Sequence, residues 1–218
     1  GHSSGSGVGI QALTCGNGIV MMAQGANIFY STNYGSSWTS IQPFTGNNPP
    51  GTARCLTYTN NSFALIYGRE GRIRARSCAD TDVTDWANET SIDDPPPSGG
   101  PIRNPSGTLA DKISVASAGG RVVHVTDNDN NVGYFDVDGK TISNVNDVNM
   151  TDVGMASGRR PEDIETDGNG IWLLACRSGD IWRSNNNGQS GSWTRVVANL
   201  DGSNTNIVCI ASDALYPF

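Results

Sequence analysis

The chain has 218 residues, 14 Lys+Arg against 21 Asp+Glu and a net charge of −7, a size that allows one medium domain or at most two small ones. An acidic balance speaks against nucleic-acid backbone binding, and no apolar run approaches the ~18 residues of a membrane span. Only 16% of residues are charged while 27 are Gly and 22 are Asn, so the composition predicts many short elements joined by tight turns.

Residues 1–9, opening Gly1-His2-Ser3-Ser4-Gly5-Ser6-Gly7, read as a tag or linker remnant, and residues 10–218 as a single domain. From Ala12 onward one theme recurs: a short strand, a Gly/Asn turn, an apolar strand, a second turn and a third strand. It runs first through 12–23 and 27–31, then 55–67 and 72–77, then 113–125 and 131–135, and last 163–175 and 180–184. The central strands begin near Ile19, Phe63, Val122 and Ile171, at spacings of 44, 59 and 49 residues. Four strands with their turns need about 40–50 residues, the length of a propeller blade. The longest spacing contains Asp93–Pro101, a Pro/Gly-rich stretch that reads as an irregular loop. The stretch 206–212 repeats the inner-strand theme, and could close the ring or begin an incomplete further blade. No segment sustains a 3.6-residue apolar period, so no long helix is predicted.

Beyond the tag, His124 is the one histidine, which argues against His-based zinc sites and leaves a Ser-His-Asp triad a single candidate base. The five cysteines, Cys15, Cys55, Cys78, Cys176 and Cys209, have no CxxC spacing. They read as buried free thiols behaving as small hydrophobes, with one or two disulfides or a catalytic thiol as the alternatives.

Two turns after third strands share a pattern: Ser31-Thr32-Asn33-Tyr34-Gly35-Ser36-Ser37-Trp38, and Ser184-Asn185-Asn186-Asn187-Gly188 running on to Ser192-Trp193. The second copy keeps a remnant, Ser77 followed by Asp80, Asp82 and Trp86. Gly permits a positive φ, Ser and Asn side chains satisfy turn amides, and Trp packs between strands. The pattern resembles the Asp-box, or BNR repeat, Ser-x-Asp-x-Gly-x-Thr-Trp, with Asn33 and Asn186 in place of the aspartate. The resemblance implies a β-propeller in which Ser31, Asn33, Gly35, Trp38, Ser184, Asn186, Gly188 and Trp193 are structural and lie away from the functional face.

Asp-box families include sialidases, which need an arginine cluster, a Tyr/Glu pair and an acid/base Asp. Arg54, Arg103, Arg121, Tyr67 and Glu70 supply those residue types, but four repeats are short for such enzymes and no catalytic residue is assigned. Asp127-Asn128-Asp129-Asn130-Asn131 has the spacing of a calcium loop but lacks the Gly at position six and the Glu at position twelve. No metal site or cofactor is therefore expected, with calcium as the alternative there. Arg72, Arg74 and Arg76 alternate along a strand, which puts them on one face as a candidate basic stripe. Arg159 and Arg160 precede the fourth inner strand, where propellers present ligand-facing loops.

The expectation is an all-β, propeller-like domain of about four blades. Its composition resembles phage or virus tail and spike proteins, which implies a virion or extracellular setting and a non-enzymatic recognition or structural role. The partners expected are a cell-surface glycan or a protein, with homo-oligomers in view. A small secreted carbohydrate-active enzyme is the alternative.

Overall fold

The computed structural model describes residues 9–25, 27–43, 53–69, 72–92, 113–126, 130–156, 159–200, 207 and 209–211. The loop read at Asp93–Pro101 and the Asp127–Asp129 part of the calcium-like stretch lie outside them.

Sixteen strands form four antiparallel four-stranded sheets, each built from consecutive strands. Sheet 1 holds β1 (Ala12–Gly16), β2 (Ile19–Gln24), β3 (Asn27–Ser31) and β4 (Thr39–Ile41). Sheet 2 holds β5 (Ala53–Thr59), β6 (Ser62–Arg69), β7 (Arg72–Ala79) and β8 (Thr90–Ser91). Sheet 3 holds β9 (Ile113–Ala118), β10 (Arg121–Thr126), β11 (Asn131–Asp138) and β12 (Thr141–Asn149). Sheet 4 holds β13 (Pro161–Thr166), β14 (Trp172–Cys176), β15 (Ile181–Ser184) and β16 (Trp193–Val197). The four predicted repeats are these four sheets.

The opening hairpins of the first three sheets turn on two residues with positive φ: Asn17 and Gly18, Asn60 and Asn61, Gly119 and Gly120. Such turns match the right-handed twist of the flanking strands, and Asn and Gly are the residues that tolerate them. They fix the register, and the register fixes which side chains face which neighbour.

On β6, Phe63, Leu65 and Tyr67 point toward sheet 1, where they bury Met21, Ala23 and Ile28. The alternating Ala64 and Ile66 point the other way, into a cluster with Val122, Phe135 and Val137 of sheet 3. The other face of sheet 3 (Val123, Val125, Val132, Val148) packs on Ile164, Trp172, Leu174 and Trp182 of sheet 4. Trp172 and Trp182 are therefore core residues. Three apolar clusters thus join four sheets in series, and among the described residues no fourth cluster joins sheet 4 back to sheet 1.

The first strands of successive sheets line up side by side, β1 with β5, β5 with β9 and β9 with β13. Side chains bridge them: the Cys55 thiol donates to the Ile113 carbonyl at 3.0 Å, Thr57 and Ser117 hydroxyls meet at 2.5 Å, and Ser114 donates to Asp163. The described part of the C-terminal stretch forms no strand, but the Ile210 N–H donates to Asp163 at 2.8 Å and so attaches it to β13.

All five cysteines are free. Cys78 and Cys176 are buried as expected, whereas Cys15 and Cys209 are exposed. Cys15 alternates onto the side of β1 turned away from sheet 2, and Cys209 lies outside any strand.

The two Ser-x-Asn-x-Gly turns fold alike. Ser31 Oγ accepts the N–H groups of Asn33 at 3.3 Å and Gly35 at 2.9 Å, and Ser184 Oγ accepts those of Asn186 at 3.3 Å and Gly188 at 3.1 Å. Asn33 Oδ1 then accepts the Ser37 N–H at 2.9 Å and its Nδ2 donates to Ser37 Oγ at 2.8 Å. The two-residue insertion in the last copy changes this step: Asn186 Nδ2 turns to Gln189 at 3.4 Å, and Ser192 Oγ meets Ser184 Oγ at 2.6 Å. Gly188 has φ 71°, and a Cβ there would stand 3.1 Å from Val123 of the neighbouring sheet. Trp193 closes the turn by donating Nε1–H to the Gly188 carbonyl at 3.1 Å.

Ser184 is fully buried, so Ser184→Ala leaves two amides without their acceptor. The expected cost is about 2 kcal/mol, a fall of roughly 4–8 °C in the thermal midpoint. A midpoint within a degree of the parent's would show that the turn does not rely on this hydroxyl.

Candidate functional site

A concentration of charge lies at one end of sheet 4, opposite the end that carries its Ser-x-Asn turn. Three segments meet there: Arg159 and Arg160 just before β13, the β14–β15 turn, and the chain leaving β16. Asp180 sits at the base with no exposed surface. It accepts Arg159 Nη1 at 2.7 Å and the Asn199 N–H at 2.9 Å, with Arg195 Nη1 at 3.7 Å. Burial pushes the Asp180 carboxyl up, but the Arg159 hydrogen bond, the Asn199 amide and the two arginine charges outweigh it and hold it below the usual range.

Beside it, Arg177 Nε donates to the buried Glu162 at 2.7 Å, and its backbone N–H donates to the Arg160 carbonyl at 2.8 Å. The intervening turn runs through Ser178 at φ 124° and Gly179 at φ 74°. For Ser178 that is a costly backbone, held here by the surrounding bonds.

Among the described residues, three guanidinium groups (Arg159, Arg177, Arg195) thus pair with two carboxylates (Glu162, Asp180), and Arg160 joins them through its backbone carbonyl, a local excess of positive charge on an acidic chain. Arg177 and Arg195 keep 44% of their side chains exposed. Leu200 lies at the same place, its N–H donating to the Gly179 carbonyl at 2.9 Å, and is 63% exposed. The end of sheet 4 therefore offers arginine donors next to bare apolar surface.

Arg159 and Arg160 belong to this cluster. The other arginine candidates stand apart from it. Arg74 and Arg76 do share a face of β7, but that face is covered. Arg76 is 9% exposed and donates to Tyr67 Oη at 3.3 Å and to the Ala87 carbonyl at 3.1 Å, and Arg74 lies 3.6 Å from Glu89. Among described side chains they are internal struts between β7 and the segment before β8; the Arg72 side chain lies outside the described set.

Tyr67 donates to Glu89 at 2.7 Å, and burial, with Glu89, pushes its phenol well above the ordinary value. A phenol held protonated is a poor nucleophile. Arg121 belongs to sheet 3 and pairs with Asp136, while Glu70, Arg103 and the Arg54 side chain lie outside the described residues. The Cys176 thiol is likewise pushed up, chiefly by burial, with Asp180 and Glu162 adding to it. His124 is 2% exposed, so it has no access to a surface substrate. No group of three or more His, Cys, Asp and Glu suited to a metal ion occurs among the described residues.

The sequence alone did not single out Arg177, Arg195, Leu200, Glu162 or Asp180. Arg177 ends an apolar strand at a Gly turn, which is a weak signal. The others come together only when β14, β15 and β16 are folded back on one another.

No protein-family model matches the chain, and no curated protein matches it. Solved structures do. It is similar to "YCF48 bound to D1 peptide" (TM-score 0.56, 13% identity, 88% of this chain and 55% of that one). It is similar to a chain of "Crystal Structure of Mitotic Checkpoint Complex" (TM-score 0.57, 5% identity, 88% and 52%). It is similar also to "YCF48 from Cyanidioschyzon merolae" (TM-score 0.53, 10% identity, 84% and 55%). The chain spans about half the length of each. At such identities the likeness speaks to fold alone: this is an all-β propeller architecture, its four sheets forming four blades.

Proposed function

We propose that the domain is a recognition module that binds an acidic, partly apolar peptide segment of a partner protein at the arginine-rich end of blade 4. The observation that carries this reading is the excess of guanidinium groups over carboxylates, among the described residues, beside exposed Leu200. Arginine forks grip carboxylates in bidentate fashion, and a neighbouring apolar patch takes a Leu or Phe of the same segment. Support by analogy comes from the similar structures, one of which holds a peptide and another of which belongs to a protein complex. The Asp-box kinship is part of the same proposal and rests on the matching turn geometry. So is a virion or extracellular setting, which rests on composition, and so is self-association, which four blades without a described fourth cluster make reasonable.

The test uses a fluorescein-labelled peptide carrying Glu residues alternating with Leu, followed by polarisation. Saturable binding is expected to weaken at least about tenfold in Arg160→Glu/Arg195→Glu and to fall as salt rises. A lysine-for-glutamate version of the peptide is expected not to bind. Equal affinity in the doubly reversed variant would sink the assignment of this end as the site.

A further inference from the structure

We propose a second binding site, for a neutral saccharide, in the groove at the opposite end of blades 2, 3 and 4. It goes beyond the peptide reading and does not depend on it. The groove holds about 480 Å³, within the range of small-molecule sites.

Turns from three blades converge on it. Asn60 comes from the β5–β6 turn, Gly119 and Gly120 from the β9–β10 turn, and Gly168 and Gly170 from the β13–β14 turn. These walls are tied together before any ligand arrives. The Gly120 N–H donates to Thr59 Oγ1 at 2.9 Å across blades, the Val137 N–H donates to the Gly120 carbonyl at 2.8 Å, and the Asn187 N–H reaches the Gly170 carbonyl at 3.3 Å. A rim fixed in this way spends little ordering entropy on binding.

Among the lining residues, Arg121 and Asp136 form an ion pair. Arg121 Nε meets Asp136 Oδ1 at 2.5 Å and Nη2 meets Oδ2 at 3.3 Å. The guanidinium lies 4.5 Å over the Tyr134 ring, and Asn144 Nδ2 donates to Asp136 Oδ2 at 2.6 Å. Arg121 Nη1 is buried with no hydrogen-bond partner among the described residues.

The lining decides the ligand class. Among the described lining residues Ala118 and Val137 are the only apolar side chains, which disfavours a hydrophobic ligand. Arg121 against Asp136 and Asp138 leaves a net charge of −1, which disfavours anions, acidic peptides included. What remains is a dense set of amides, a hydroxyl (Ser143), carboxylate oxygens and backbone groups, offering donors and acceptors together. A polyhydroxyl ring uses both at once, its vicinal hydroxyls spanning a carboxylate or a guanidinium edge. The glycine-built rim lets such a ring approach the backbone closely.

The experiment is an amide NMR titration of the whole chain with glucose, galactose, N-acetylglucosamine and lactose. At least one sugar is expected to give saturable shifts centred on Asn60, Gly119 and Gly168. Ser143 is exposed at the mouth, and Ser143→Trp is expected to weaken those shifts at least about tenfold while leaving acidic-peptide binding unchanged. Asn169→Ala, also exposed, supplies a milder variant with the same expected direction should the tryptophan perturb the fold. Absence of shifts with all four sugars, shifts that persist in both variants, or shifts at the arginine end instead would each overturn the proposal. Loss of peptide binding alone would bear only on the other site.

Discussion

Gly133→Ala is expected to destabilise the domain by about 3 kcal/mol, because the space of its side chain is already taken. Gly133 on β11 is paired across the ladder with His124 on β10, and the imidazole occupies the space of its missing side chain. A Cβ at 133 would stand 2.1 Å from His124 Cε1 and 2.4 Å from Nε2. The ring has little room to leave: it is 2% exposed and packs 6.2 Å, centroid to centroid, from the fully buried Phe135. Overpacking of this kind costs about 1–3 kcal/mol and lies at the upper end where no flexible tip can yield. In a chain of this size that is a drop of roughly 6–12 °C in the midpoint. His124→Ser adds the necessary space, so Gly133→Ala is expected to cost far less in that background than in the parent. A coupling energy near zero between positions 124 and 133 would show that ring and glycine do not share this volume.

Much of the fold was legible because its determinants are local. The Asn17-Gly18, Asn60-Asn61 and Gly119-Gly120 pairs announce hairpins by their tolerance of positive φ, and the apolar runs between them announce buried strands. The fourth strands were harder to see. β8 is two residues long, and β12, Thr141–Asn149, is polar along most of its length because its outer edge faces water. The alternation of Arg74 and Arg76 was read correctly as one face of a strand, but nothing in their spacing said that Glu89 and Tyr67 would cover that face. The candidate site was half legible for a similar reason. Arg159 and Arg160 stand out by position, just ahead of an inner strand, whereas Arg177, Arg195 and Leu200 are brought beside them by the return of β14 to β16. The groove between blades 2, 3 and 4 was invisible, since it is assembled from turns more than a hundred residues apart.

The same His124 makes the domain acid-sensitive in a way its carboxylates do not. Burial pushes its imidazole down from the ordinary 6.5 to about 4. Above pH 6.5 the ring is neutral in both folded and unfolded chains and contributes nothing to the pH slope. Between pH 6.5 and about 4 the unfolded chain binds a proton that the folded chain refuses, so stability falls as pH falls. At 1.36 kcal/mol for each unit of difference, the loss reaches roughly 3 kcal/mol at the lower end. His124→Phe keeps an aromatic ring over Gly133 and removes the titration. The measurement is the stability of parent and variant by denaturant melts from pH 8 to pH 4, subtracted so that the common carboxylate contributions cancel. The difference is expected to be flat down to pH 6.5 and then to shift steadily in favour of the phenylalanine variant. A difference curve that stays flat to pH 4 would mean that His124 takes up its proton in the folded domain as readily as in the unfolded one. Gly133 would then have to sit beside a charged and hydrated ring, which the packing around Phe135 does not accommodate.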